Sequence, residues 1–104
     1  MTNGLWEILV PTIHSSNGKP IRTRFHKVWD KKVREISGGL TIMQPARGQW
    51  VAPDGKLFME RMIPVRVLAS CHQISEIVKF TIDYYNQIAV LAYKISDEVI
   101  LKYR

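Results

Sequence analysis

Between Gly38 and Gly55 the chain reads G-G-L-T-I-M-Q-P-A-R-G-Q-W-V-A-P-D-G, and no other run restricts its folding as tightly. Gly38 and Gly39 can take the left-handed conformation that closes a helix, so a helix must stop here. Pro45 and Gly48 interrupt the strand begun at Leu40-Thr41-Ile42-Met43, which resumes at Gln49-Trp50-Val51. Pro53-Asp54-Gly55 then turns the chain into the next strand. Backbone needs explain the glycines, the prolines and Asp54. They do not explain Gln49 and Trp50.

On either side of this block the apolar spacing alternates between two periods. Leu5 to Val10 is an aliphatic strand closed by Pro11. Ser15-Ser16-Asn17-Gly18 is a turn, and Pro20 opens a helix whose apolar residues Ile21, Phe25, Val28, Trp29, Val33 and Ile36 recur at helical spacing. A long strand is expected from Lys56 to Ala69, bent or bulged near Pro64. Ser70-Cys71-His72-Gln73 has the spacing of a capping box, so a second helix follows, with Ile74, Ile77, Val78, Thr81, Ile82, Tyr85 and Ile88 on its apolar face. Ala89–Ile95 and Val99–Tyr103 read as two last strands around Ser96-Asp97-Glu98.

The order β-α-β-β-α-β-β predicts one α+β domain over residues 1–104. Its architecture is ferredoxin-like, with an added C-terminal strand and an antiparallel sheet carrying both helices on one face. A composition that is 46% hydrophobic supplies a core at this length. A one-sided sheet should alternate cleanly between apolar and polar, yet Leu5 and Leu9 oppose Trp6, Ile8 and Val10, and Leu68 opposes Val65, Val67 and Ala69. Both faces are apolar. A homodimer closing sheet on sheet or edge on edge is the expected cover.

The G-L-T of residues 39–41, the G-Q-W of 48–50 and the D-G of 54–55 form a pattern that continues through Glu60, Tyr84 and Tyr85 to Ala89–Tyr93. It resembles an uncharacterised family of short bacterial α+β domains. The resemblance implies an α+β fold and carries no activity or cofactor with it. Members of that family often begin with an export signal, whereas Met1-Thr2-Asn3-Gly4 lacks a basic leader. A single cysteine fits a reducing compartment, so the cytoplasm is expected, with no membrane span.

Charge is concentrated. Lys19 to Arg34 holds seven basic residues against one acid, which equals the whole net charge of +6. Arg24, Lys27, Lys31 and Arg34 follow one helical face and suit an acidic protein surface or an anionic small molecule, or else form a solvated face. Nonspecific nucleic-acid binding is a further alternative resting on charge alone, since no aromatic ladder or phosphate loop accompanies the helix.

Gln49 and Trp50 offer an amide and a stacking surface for a ligand, or a plug for the end of the core. Arg47, Arg61 and Arg66 could converge on the same hairpin, where guanidinium forks suit carboxylate or phosphate. A small-molecule enzyme would need a pocket between sheet and helices around Trp29, Trp50, Arg61 and Arg66. No catalytic set emerges. Cys71 and His72 point apart as neighbours, and His14 and His26 add no ligand spacing, so no metal or cofactor is expected. Glu7, Asp54, Glu60, Asp97 and Glu98 have no telling acid/base spacing. The sequence therefore favours a small non-enzymatic binding or assembly module.

Overall fold

The computed structural model describes residues 3–104; Met1 and Thr2, part of the stretch read for a leader, lie outside the described residues. Five strands and two helices follow one another as β1 (Gly4–Pro11), α1 (Thr23–Ser37), β2 (Thr41–Ile42), β3 (Ala46–Val51), β4 (Leu57–Ala69), α2 (Cys71–Tyr85) and β5 (Ala92–Ser96). The sheet is antiparallel, in the order β2-β4-β1-β5, with β3 also paired to β4. This is the ferredoxin-like α+β arrangement expected from the order of elements.

β4 is the spine. On one side it pairs with β1 from Gly4↔Ala69 to Pro11↔Met62, without a break in register. On the other it pairs first with β3 and then with β2. Against β1 the register passes Pro64 unbroken, while on the other edge it steps by one residue between Ile42↔Val65 and Ala46↔Met62, so the irregularity expected near Pro64 falls between β2 and β3. Met43 N donates to Pro64 O at 2.9 Å, so the missing Pro64 N–H faces the same edge, where β2 and β3 are separated and no ladder bond is lost. A further register shift lies at Leu5/Trp6, against β5.

The expected last strand over Val99–Tyr103 does not form, and the fifth strand comes instead from the division of β2 and β3. Ser96 Oγ donates to Glu98 O and accepts from Glu98 N, so the turn exists. Beyond it the chain does not return to the outer edge of β5, which stays open, and apolar strand-forming residues do not make a strand unaided.

Both helices cover the sheet face formed by Ile8, Val10, Val65, Val67 and Ala69, and these residues join Trp29, Val33, Ile74 and Ile77 in one core. Burying each such large side chain contributes roughly 1.5–3 kcal/mol. Trp29 hides its polar edge by donating from Nε1 to Thr81 Oγ1 at 2.9 Å. Val28, assigned to the same apolar face, is 54% exposed and corrects that assignment. On α2, Ile88 lies beyond the helix and is likewise exposed.

The helix ends follow the sequence. Gly38 closes α1 at φ 90°, and Ser70 and Gln73 form the capping box of α2. Gln73 Nε2 also donates to Ile36 O at 3.0 Å, which ties the start of α2 to the last turn of α1.

Candidate functional site on the open sheet face

Strand alternation sends Leu5, Glu7 and Leu9 of β1 away from the helices, together with Met62, Pro64, Arg66 and Leu68 of β4. At the middle of this open face sits a carboxylate. Glu7 lies opposite Arg66 on one neighbour and Tyr93 on the other, so both side chains can reach it. Arg66 Nε donates to Glu7 Oε1 at 3.1 Å, and the Tyr93 hydroxyl donates to Oε2. Glu7 is only 7% exposed. Half-buried Leu5, Leu9, Pro64 and Leu68 belong to the same face. A charge so enclosed needs hydrogen-bonding partners, and this one has two.

The β3–β4 hairpin extends the face. Trp50 and Phe58 are cross-strand partners and stack with ring centroids 4.7 Å apart and planes at 15°. Next along the strands Glu60 opposes Gly48, where a Cβ would run into the Met62 methyl group. Trp50 is 37% exposed, so the stack is a surface feature rather than a plug for the core.

The expected ligand residues are thereby divided. Trp50 and Arg66 lie on the open face, whereas Gln49, Arg47 and Arg61 alternate to the other side of the sheet, all exposed. Arg47 pairs directly with Arg61 across the strands. Trp29 is 1% exposed inside the core. Trp29, Trp50, Arg61 and Arg66 therefore do not surround one pocket.

Two concavities lie elsewhere. One, of about 120 Å³, is lined by His14, Phe25, Tyr84 and Tyr85 among others. Beside it His26 Nδ1 and the Tyr85 hydroxyl are 2.6 Å apart. Burial pushes the Tyr85 phenol upward and His26 below its ordinary value, so both are neutral near pH 7. The other is a groove of about 460 Å³ along α2, with Trp6 and Ala92 on the sheet side.

On α1, Arg24, Lys27, Lys31 and Arg34 are all exposed. Among the described residues the ion pairs are Glu7–Arg66 and Lys94–Asp97, and neither involves the basic face of α1. Among the described residues no group of three or more His, Cys, Asp or Glu could hold a metal ion. Cys71 is exposed at the first position of α2. No helix of the described residues is long and apolar enough to cross a membrane.

Sequence reasoning named Arg66 but missed its partners. The available signal was Glu7, an acid in the middle of an otherwise apolar strand. Tyr93 could be added only through the register of β5, which the sequence does not print.

No family model and no curated protein sequence matches the chain. Solved structures do match in fold. The periplasmic divalent cation tolerance protein CutA of Archaeoglobus fulgidus superposes with a TM-score of 0.64 at 15% identity, covering 97% of this chain and 89% of that one. The divalent cation tolerance protein of Thermus thermophilus gives 0.63 at 11% identity, with coverages of 90% and 84%. A phage SAM lyase in complex with S-methyl-5'-thioadenosine gives 0.63 at 13% identity, with 90% and 89%. These likenesses establish the fold.

Proposed function

We propose that the chain is a small cytoplasmic binding and assembly module that pairs with a second copy through its open sheet face. The observation that carries this reading is the face itself, where half-buried Leu5, Leu9, Pro64 and Leu68 belong to the same surface as the enclosed Glu7–Arg66–Tyr93 cluster. Apolar surface of this kind is what a self-complementary contact covers. The face lies opposite the helices, so pairing leaves the cationic side of α1 outside, available to an acidic protein surface or anionic small molecule.

Light scattering on the eluting protein at micromolar concentration tests the assembly. Twice the chain mass is expected, with reversion to one chain mass for Leu68→Glu at unchanged helical circular dichroism. A single-chain mass for the unaltered protein would sink the proposal.

One observation favours a second, enzymatic reading. The fold is shared with a SAM lyase over 90% of this chain, and the Trp50–Phe58 stack, Glu60 and Arg66 place an aromatic platform and both charges on one face. A thioadenosine would stack there once a second copy closed the face. Calorimetric titration with S-methyl-5'-thioadenosine separates the readings: heat that disappears in Trp50→Ala supports the enzyme, and no heat leaves the module.

A further inference from the structure

The groove along α2 lies on the helix side of the sheet, away from the face assigned to assembly above. Its walls are Ile74 and Val78 of α2 and Trp6 and Ala92 of the sheet, with Cys71 at one end and Asp83 at the other. From Cys71 to Asp83 a helix spans about 18 Å. The polar edge of Trp6 is conspicuous, because its Nε1 is buried and has no hydrogen-bond partner among the described residues. Protein interiors seldom leave an indole N–H without an acceptor.

A segment that fits is present in every copy. Val99–Tyr103 carries four apolar residues, and they stand in solvent: Val99 is 40% exposed, Ile100 93%, Leu101 62% and Tyr103 82%. Extended, Val99–Tyr103 reaches about 17 Å, close to the length of the groove. In an extended segment Val99, Leu101 and Tyr103 share one side, and Ile100 and Lys102 the other.

The chain's own tail leaves the groove open. Lys94 stands at its root, with Nζ 2.6 Å from Asp97 Oδ1 and 5.2 Å from the centre of the Trp6 ring. This ion pair lies over Trp6, at the point where the tail leaves β5. A tail drawn towards a neighbour takes Asp97 with it, which frees Lys94 to swing off Trp6 and lets a backbone carbonyl reach Nε1. Because every copy has one groove and one tail, a two-fold exchange covers both apolar surfaces in both copies.

We propose that Val99–Tyr103 of one copy lies along the α2 groove of a second copy, with Val99, Leu101 and Tyr103 turned inward. This contact is separate from the sheet-face pairing and does not rest on it. Cys71, the single cysteine, provides the test. Val99, Ile100, Leu101, Lys102 and Tyr103 are replaced by cysteine one at a time in the full chain, and disulfide formation with Cys71 is timed under mild oxidation on non-reducing gels.

The expected result is a disulfide-linked dimer that forms at least tenfold faster at one of positions 99, 101 or 103 than at 100 or 102, and that is lost when Cys71→Ser is added. Equal rates at all five positions would mean random collision and overturn the proposal. Thiol loss without dimer would place the tail in its own groove and overturn the exchange. Leu68→Glu should not change the pattern of rates, which separates this contact from the sheet face.

Discussion

The helix face and the open face of the sheet arise from the same strands, and neighbouring residues of β4 report on both. Val67 is 1% exposed beneath the helices, while Leu68 stays half-buried on the other side. Each face also contains an enclosed hydrogen-bonded group. Under the helices it is a neutral pair, Trp29 with Thr81, and on the open face it is a carboxylate held by Arg66 and Tyr93. Beneath the helices a neutral pair satisfies itself without charge, whereas a face still bordered by water can keep an ion pair.

The sharpest way to break this comparison is to delete equivalent bulk from both faces. Ile8→Ala, in the core, should cost about 2–5 kcal/mol in urea unfolding, and Leu68→Ala only about 1 kcal/mol at concentrations where the chain is single. Equal costs would show that the open face is as closed as the core. The enclosed polar groups come next. Thr81→Val leaves the Trp29 N–H unpaired and should cost about 1–3 kcal/mol. Arg66→Ala should cost about 1–2 kcal/mol, a figure reduced from that for a sealed pair because 41% of its side chain is exposed. A larger loss for Arg66 than for Thr81 would reverse the ranking of the two faces.

The smallest effect is one of pH. Burial holds His26 below its ordinary value, so the unfolded chain binds this proton more readily than the folded one. The stability that neutral His26 confers is present above the unfolded value of 6.5 and is lost as pH falls through the lower folded value. Urea midpoints at pH 7 and pH 5 should therefore differ more for the natural protein than for His26→Gln. Identical differences would remove His26 from the acid response.

Local chemistry made much of this fold readable. Ser70 and Gln73 cap α2, Gly38 ends α1, and Asp54-Gly55 turns the hairpin, each by contacts within a few residues. What depends on distant partners was not readable. Val99–Tyr103 has strand-forming residues but does not pair with the open edge of β5. Val28 has the period of the core but falls outside its arc. Gln49 and Trp50, adjacent in sequence, were separated by the pleat onto opposite faces. Of the candidate site, Trp50 was visible as a large residue that no turn requires and Arg66 as a guanidinium expected near the hairpin, whereas the Glu7–Arg66–Tyr93 cluster joins three strands and exists only once their registers are fixed.

The uninterrupted run of β4 implies an order of events in folding. Its first half meets β3 across the short turn between Val51 and Leu57, whereas Gly4↔Ala69 and Pro11↔Met62 join segments more distant in the chain. Hairpins close within about 1–10 μs, and pairings between remote segments are slower because a long loop must first be closed. The hairpin half of β4 is thus expected to form first and to serve as a template, with β1 arriving later to align the other half. Stop-flow refolding would show the hairpin's aromatic stack reporting before Trp29 becomes shielded.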